Sequence, residues 1–218
     1  MIRAVLFDLD GTLYDRDAVM TAVARDQFAA FEDQLNGIDR DTFVERLLAL
    51  DDHGYANRGQ LYEAAAAALG LRGSIAAELA SQFWDCYARA CALPDDTSVT
   101  LQALRQQGTR LGVVTNGPTA WQSRKLDALG LSTFFDLVVI SESEGLTKPD
   151  PRIFARAVER IGVAPGEAMF VGDHPEIDVA GARAAGLVPV WKRVPYWTMP
   201  FDDVLVVDRL SEILNWSA

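Results

Sequence analysis

One junction constrains this chain more than any other: an apolar run beginning at Ile2, broken only by Arg3, meets two carboxylates in Asp8-Leu9-Asp10-Gly11-Thr12-Leu13. The run predicts a strand buried on both faces. A buried strand that ends in Asp-x-Asp-Gly-Thr sets two carboxylates side by side at the edge of a sheet. They repel each other there unless a cation or a shared proton intervenes. An Asp-Gly step is also an ordinary turn signal, so the same junction fits a solvated acidic turn.

The rest of the chain narrows the choice. Its 218 residues suit one domain with a large insertion, or two small ones. Lysine and arginine number 20 against 31 aspartates and glutamates, a formal net charge of −11. That balance argues against nucleic acid or an anionic membrane as the main partner, although a bound cation can still make one pocket attractive to an anion. The two cysteines, Cys86 and Cys91, have neither a zinc spacing nor the look of a disulfide framework, and they read as buried free thiols. The N-terminal apolar run is too short for a signal peptide and carries both aspartates, and no apolar run matches a bilayer span. The chain reads as cytoplasmic, with no membrane partner.

From about residue 17 to residue 93 the texture is helical, with apolar stripes Val19-Val23-Phe28-Phe31 and Ile75-Leu79-Phe83-Tyr87 and an alanine run at 64–68. After Pro94 the pattern alternates. Helices are expected at 97–107, 119–129, from Asp150-Pro151, at 177–185 and at 210–216. Strands are expected at 111–115, 137–140, 168–171, 187–191 and, outermost, 204–207. Such alternation predicts an α/β fold, a Rossmann-like parallel sheet flanked by helices, with an all-helical cap inserted after the first strand as a lid. The expected division is 1–14 with 95–218 as an α/β core, and 15–94 as the helical insertion.

Four strands end in polar residues. The first ends in Asp8 and Asp10. The second ends in Thr115-Asn116-Gly117-Pro118, where hydroxyl, amide and free N–H groups at a helix start suit an anion. Lys148 follows the third in Thr147-Lys148-Pro149-Asp150. Gly172-Asp173 closes the fourth, with Asp178 five residues on. In a parallel sheet of this kind the four clusters meet at the carboxyl edge, where such folds bind ligands. Each also has a duller reading: Thr115 as a helix cap, Asn116-Gly117 as a turn, Lys148 as a loop lysine, and Asp178 as a favourable charge at a helix start.

Taken in order, Phe7-Asp8-Leu9-Asp10-Gly11-Thr12-Leu13, Thr115-Asn116-Gly117, Lys148-Pro149-Asp150 and Gly172-Asp173-His174-Pro175-Glu176-Ile177-Asp178 resemble the four signature segments of the haloacid dehalogenase superfamily. The likeness is to its phosphatases with a helical cap after the first strand, and it runs on through Gly181-Ala182-Arg183-Ala184-Ala185-Gly186. It implies a Mg²⁺-dependent phosphomonoester hydrolase. Asp8 would form an aspartyl-phosphate and Asp10 would act as acid and then base. Asp8, the backbone carbonyl of Asp10, and Asp173 would bind Mg²⁺. Asp178 would orient the metal's water or Lys148. Thr115, Asn116 and Lys148 would hold the phosphoryl oxygens.

The resemblance leaves rivals open: a phosphomutase using the same intermediate, a metal-independent 2-haloacid dehalogenase, or an inactive binding protein. Retention of Asp10 favours a leaving alkoxide that needs a proton, and Asp8, Asp10 and Lys148 are all in place. The substrate is expected to be a small phosphorylated metabolite. Tyr14, Asp15, Tyr55 and Arg58 are the candidates for recognising it, with His53 and Trp84 beside them, although Tyr55 and Trp84 also fit a helical core and Arg58 a solvated helix start. The aromatic and basic stretch 191–197 reads as packing on the edge of the core, and the chain as a monomer or homodimer.

Overall fold

The computed structural model describes residues 1–216 apart from Asn36 and Arg72, with the backbone alone described at Arg58. The chain forms two compact units, one of Met1–Tyr14 with Ala92–Ala218 and the other of Asp15–Cys91.

The first unit is built on six parallel strands: β1 (Ala4–Phe7), β2 (Arg110–Thr115), β3 (Leu137–Ile140), β4 (Ala168–Gly172), β5 (Val188–Lys192) and β6 (Leu205–Val207). Their order is β3-β2-β1-β4-β5-β6. This is the doubly wound arrangement, in which the chain reverses its direction of winding beside β1. Every residue of β1 is buried, as expected of a strand with helices on both faces. Phe7 pairs with Val113 on one side and Val171 on the other, so the first residue beyond β1 emerges between two neighbours at the switch point.

The helical unit comprises α1 (Arg16–Ala30), α2 (Arg40–Asp51), α3 (Arg58–Ala68) and α4 (Ile75–Ala90), with a 3₁₀ turn at Asp52–Gly54. Asp15, Asp39 and Asn57 cap the first three by accepting from backbone N–H groups. Cys86 and Cys91 are buried free thiols, as their spacing predicts.

Around the sheet lie α5 (Asp95–Gln106), α6 (Thr119–Ala128), the short α7 (Ser141–Glu144), α8 (Pro151–Ile161) and α9 (Gly181–Ala184). α8 buries Ile153, Phe154, Ala157, Val158 and Ile161 along one stripe, and the Phe154 ring meets Phe170 of β4 edge-on at 4.9 Å. Two expected helices take tighter or wider forms. Residues 177–185 are not one helix: Pro175–Ala180 is a π-helical turn that leads into α9. Pro175 brings no N–H, and the His174 carbonyl is shared by the N–H groups of Asp178 at 3.0 Å and Val179 at 3.3 Å, which widens the turn. The terminal segment Leu210–Asn215 is a 3₁₀ helix. Among the described residues no helix is long and apolar enough to cross a membrane.

Candidate active site

The polar residues that close the strands gather where β1 meets its neighbours. The Asp8 N–H donates to the Val171 carbonyl at 2.9 Å, which carries the β1–β4 ladder one residue beyond Phe7 and fixes the Asp8 backbone. Asp173 follows β4 directly, and its own carbonyl accepts from Trp191 Nε1 at 2.6 Å. Trp191 lies within β5 and is buried, and its indole pins the residue that carries a site carboxylate. Gly11, between Asp10 and Thr12, has φ +78°, and a Cβ there would sit 2.6 Å from Asp173 Oδ2. Only glycine allows this backbone to pass so close to that carboxylate.

Lys148 is buried at 3% exposure, and its Nζ donates to Asp8 Oδ1 and to Asp178 Oδ1, each at 2.6 Å. Asp178 spends its other oxygen on the His174 N–H at 3.0 Å. The Asn116 amide is bound to the Lys148 backbone in both directions, accepting from its N–H at 2.9 Å and donating to its carbonyl at 3.0 Å. So the Asn116 side chain locks the lysine loop, which includes the cis Lys148–Pro149 peptide, to the end of β2. Thr115, the last residue of β2, is buried with its hydroxyl 2.5 Å from Gln122 Nε2.

Asp10 faces a different set of partners. Its carboxylate accepts from the Tyr14 hydroxyl, from Lys125 Nζ at 2.6 and 2.8 Å, and from Gln122 Nε2 at 3.1 Å. Gln122 and Lys125 were missed in the sequence because they lie inside a helix rather than at a strand end. The signal available was a break in amphipathic pattern: α6 turns Gln122, Lys125 and Leu126 inward, so an amide and an ammonium occupy core positions.

The electrostatics follow from burial. Desolvation pushes the Asp8 carboxyl up to about 7 against the pull of Lys148, with Asp178 and Asp10 adding to the push. Desolvation with repulsion from Asp178 and Asp8 pushes Asp173 up to about 9. Burial alone would lower Lys148, but Asp178 and Asp8 outweigh it and hold the lysine above its ordinary value. These directions agree: one ammonium serves two carboxylates, while each carboxylate has others beside it. Asp8, Asp173 and Asp178 each offer an oxygen within 4.8 Å of the others. A buried, oxygen-only donor set with an excess of negative charge suits a hard divalent cation. The Asp10 carboxylate is bound instead by Lys125 and Gln122.

His174, beside Asp173, is a cap. Its Nδ1 accepts from the N–H groups of Glu176 and Ile177, both at 3.1 Å, and burial lowers its basicity in keeping with an unprotonated Nδ1.

The specificity candidates divide. Tyr14 is buried and its hydroxyl is committed to Asp10. Asp15 caps α1, accepting from the Ala18 N–H at 2.9 Å. Tyr55 is 49% exposed. The side chain of Arg58 lies outside the described residues. His53 binds Asp17 through Nδ1 at 2.5 Å, and Trp84 stacks edge-on with Phe83 and Tyr87.

Comparison with known proteins agrees with this geometry. Residues 2–186 match the family described as haloacid dehalogenase-like hydrolase. The chain is 35% identical to the glyceraldehyde 3-phosphate phosphatase of Methanopyrus kandleri over 99% of its own length and 97% of that protein. It superimposes on YfnB of Bacillus subtilis, described as a HAD-hydrolase bound to magnesium, with TM-score 0.73 and 25% identity over 99% of this chain and 98% of that one. A 2-haloacid dehalogenase from Pseudomonas syringae pv. Tomato is similar at TM-score 0.64 and 28% identity, with both chains fully covered. The ordered strand-end motifs, the doubly wound sheet and a family match spanning most of the chain lead to one conclusion: this protein belongs to the haloacid dehalogenase-like hydrolases, in the phosphatase branch with an inserted helical cap.

Proposed function

We propose that the protein is a Mg²⁺-dependent phosphomonoester hydrolase that works on a small phosphorylated metabolite through an aspartyl-phosphate on Asp8. The observation that carries this reading is the buried cluster of Asp8, Asp173 and Asp178, with the Lys148 ammonium bound to two of them and a separately held carboxylate on Asp10. An Asp8 oxygen attacks phosphorus while the ester P–O bond breaks, and Asp10 gives a proton to the departing alkoxide. Water then attacks the acyl phosphate and Asp10 takes its proton. The P–O bond to Asp8 breaks, and phosphate leaves with the Asp8 carboxylate restored.

Lys148 already touches the carboxylate on which the phosphoryl group would sit, so its charge is placed close to where the phosphoryl oxygens would lie. Asp178 keeps that ammonium oriented. Thr115 contributes its hydroxyl at the end of β2. The Asn116 amide is spent on the Lys148 loop, so Asn116 acts on phosphate through its backbone and through the position it gives Lys148. Asp8, Asp173 and the Asp10 carbonyl would hold Mg²⁺, which when bound supplies positive charge against the charge developing on the transferred group.

Dehalogenation is the weaker reading despite the similar Pseudomonas fold. A halide leaves without a proton, and the buried cluster of Asp8, Asp173 and Asp178 has no task in a reaction that needs no cation. The test is phosphate release from a panel of phosphomonoesters with Mg²⁺ and with chelator. Phosphorylated trioses come first because of the Methanopyrus relative. Metal-dependent release is expected. Halide release from a 2-haloacid in the presence of chelator, with no phosphate release anywhere in the panel, would overturn the reading.

A further inference from the structure

We propose that Gln122 and Lys125 of α6 are positioning residues that hold the Asp10 carboxylate in register with Thr115, and that they thereby decide how well the enzyme expels leaving groups that need a proton. This rests on the assignment of Asp10 as acid and base. It adds to that assignment two residues which none of the strand-end motifs contains.

The need for such a device follows from where Asp10 lies. It comes after the β1 ladder, forms an isolated bridge with Tyr14, and precedes a glycine at φ +78°. It therefore lies outside the regular strand pairing that fixes Asp8. The neighbouring carboxylate of Asp8 repels it. Beside the Tyr14 hydroxyl, α6 supplies further restraint. Gln122 and Lys125 are three residues apart, hence on one face of the helix, and both meet Asp10. Lys125 reaches both Asp10 oxygens, at 2.8 and 2.6 Å, which fixes the plane of the carboxylate as well as its position.

Gln122 does more than add one hydrogen bond. Its Nε2 lies within 3.1 Å of Asp10 Oδ2, within 2.5 Å of Thr115 Oγ1 and within 3.1 Å of the Asn116 carbonyl. The carboxylate and the carbonyl are pure acceptors, so the amide must present its NH₂ to this group. One side chain thus ties the proton donor to the strand end that would hold the phosphoryl oxygens. A shift of either is felt by the other.

Stability does not explain these residues. Gln122 is 1% exposed and Lys125 8%. Apolar side chains at inward helix positions generally stabilise a core as well as, or better than, a buried ion pair does. A polar pair kept at core positions and aimed at one carboxylate is better explained by what that carboxylate does.

The experiment compares kcat/KM for an alkyl phosphomonoester with that for 4-nitrophenyl phosphate, whose phenolate leaves without a proton. Wild type, Lys125→Met, Lys125→Arg and Gln122→Leu are measured, and Lys125→Met is repeated in an Asp10→Asn background. The constant kcat/KM reports the steps through formation of the aspartyl-phosphate, so it isolates proton donation from later hydrolysis. Lys125→Met and Gln122→Leu should lower the alkyl value by about 10- to 100-fold, the scale of a misplaced catalytic group. The aryl value should change by less than about threefold, Lys125→Arg should recover part of the alkyl loss, and Lys125→Met should add nothing once Asp10 is Asn. Equal losses on both esters would assign Lys125 to phosphate binding or to folding, and would overturn this inference while leaving the phosphatase reading intact. A wild-type enzyme that releases phosphate from neither ester would remove that reading and this inference together.

Discussion

Lys148 Nζ lies 2.6 Å from Asp8 Oδ1 although 140 residues separate the two in sequence. The contact joins the loop after β3 to the end of β1 and seats a positive charge on the Asp8 carboxylate. The same nitrogen is 2.6 Å from Asp178, so one ammonium compensates two buried carboxylates.

Replacing Lys148 by methionine should therefore damage both fold and function. It leaves Asp8 and Asp178 buried without their counterion, a situation that costs on the order of 3–5 kcal/mol. The urea midpoint of the metal-free protein should drop accordingly, and phosphate release should vanish. An unchanged midpoint would mean that the two carboxylates have other means of compensation.

Asp173 gives the opposite sign. Its carboxyl is raised to about 9 and that of Asp8 to about 7, so the folded protein holds protons that the unfolded chain has already lost. Stability is then greatest below the unfolded carboxylate value near 3.8 as far as these two groups are concerned, and it falls as pH rises towards about 9. The thermal midpoint of metal-free protein should decline from about pH 5 to about pH 9, and Mg²⁺ should restore it most at the alkaline end. Asp173→Asn should flatten the decline, stabilise the metal-free protein by about 2 kcal/mol at alkaline pH and abolish the response to Mg²⁺. Differential scanning calorimetry across pH, with and without Mg²⁺, reads all three effects. A midpoint that rises over this range would contradict the assignment.

Gly11→Ala should be costly for two separable reasons. A Cβ at φ +78° is strained, and it would lie 2.6 Å from Asp173 Oδ2. The strain alone costs about 1–2 kcal/mol. Displacement of Asp173 should weaken Mg²⁺ binding as well, measured by calorimetric titration. By contrast Gly108→Ala, also at positive φ but with open space around its Cβ, should lose stability and keep its affinity for the metal.

These cases indicate what a sequence of this kind discloses. Asp8, Asp10, Thr115 and Asp173 were legible because each stands where an apolar strand ends, Lys148 and Asp178 because they follow such ends within ordered motifs, and the parallel sheet carries its strand ends to one edge. Gln122 and Lys125 were not, because a polar residue within a helix reads as its solvated face until the helix is seen to turn it inward. The side-chain role of Asn116 was hidden for another reason: its partner is the backbone of Lys148, and backbone partners leave no trace in residue identity. The break at Pro175–Ala180 was foreshadowed by the proline alone, while the sharing of one carbonyl that widens the turn depends on tertiary placement.

The helical unit contains its own buried ion pair, and its consequences can be tested apart from the chemistry. Arg16 donates through Nη1 to Asp51 Oδ2 at 2.5 Å and through Nη2 to Asp51 Oδ1 at 2.9 Å, a two-pronged contact that joins the start of α1 to the end of α2. The turn after α2 wraps closely over that guanidinium: a Cβ on Gly54 would lie 2.6 Å from Arg16 Nε. Two residues of the turn, Asp52 at φ 48° and His53 at φ 52°, are left-handed without being glycine, which costs roughly 1–2 kcal/mol each. The contacts made by Arg16 and the His53–Asp17 hydrogen bond offset that strain. Arg16→Met should cost about 3–5 kcal/mol because it strands Asp51 in the interior, whereas Arg16→Met combined with Asp51→Leu should lose markedly less than the sum of the single changes. Urea denaturation of the four proteins measures the coupling. Additive losses would show that the pair contributes no mutual stabilisation and that the turn is held by other contacts.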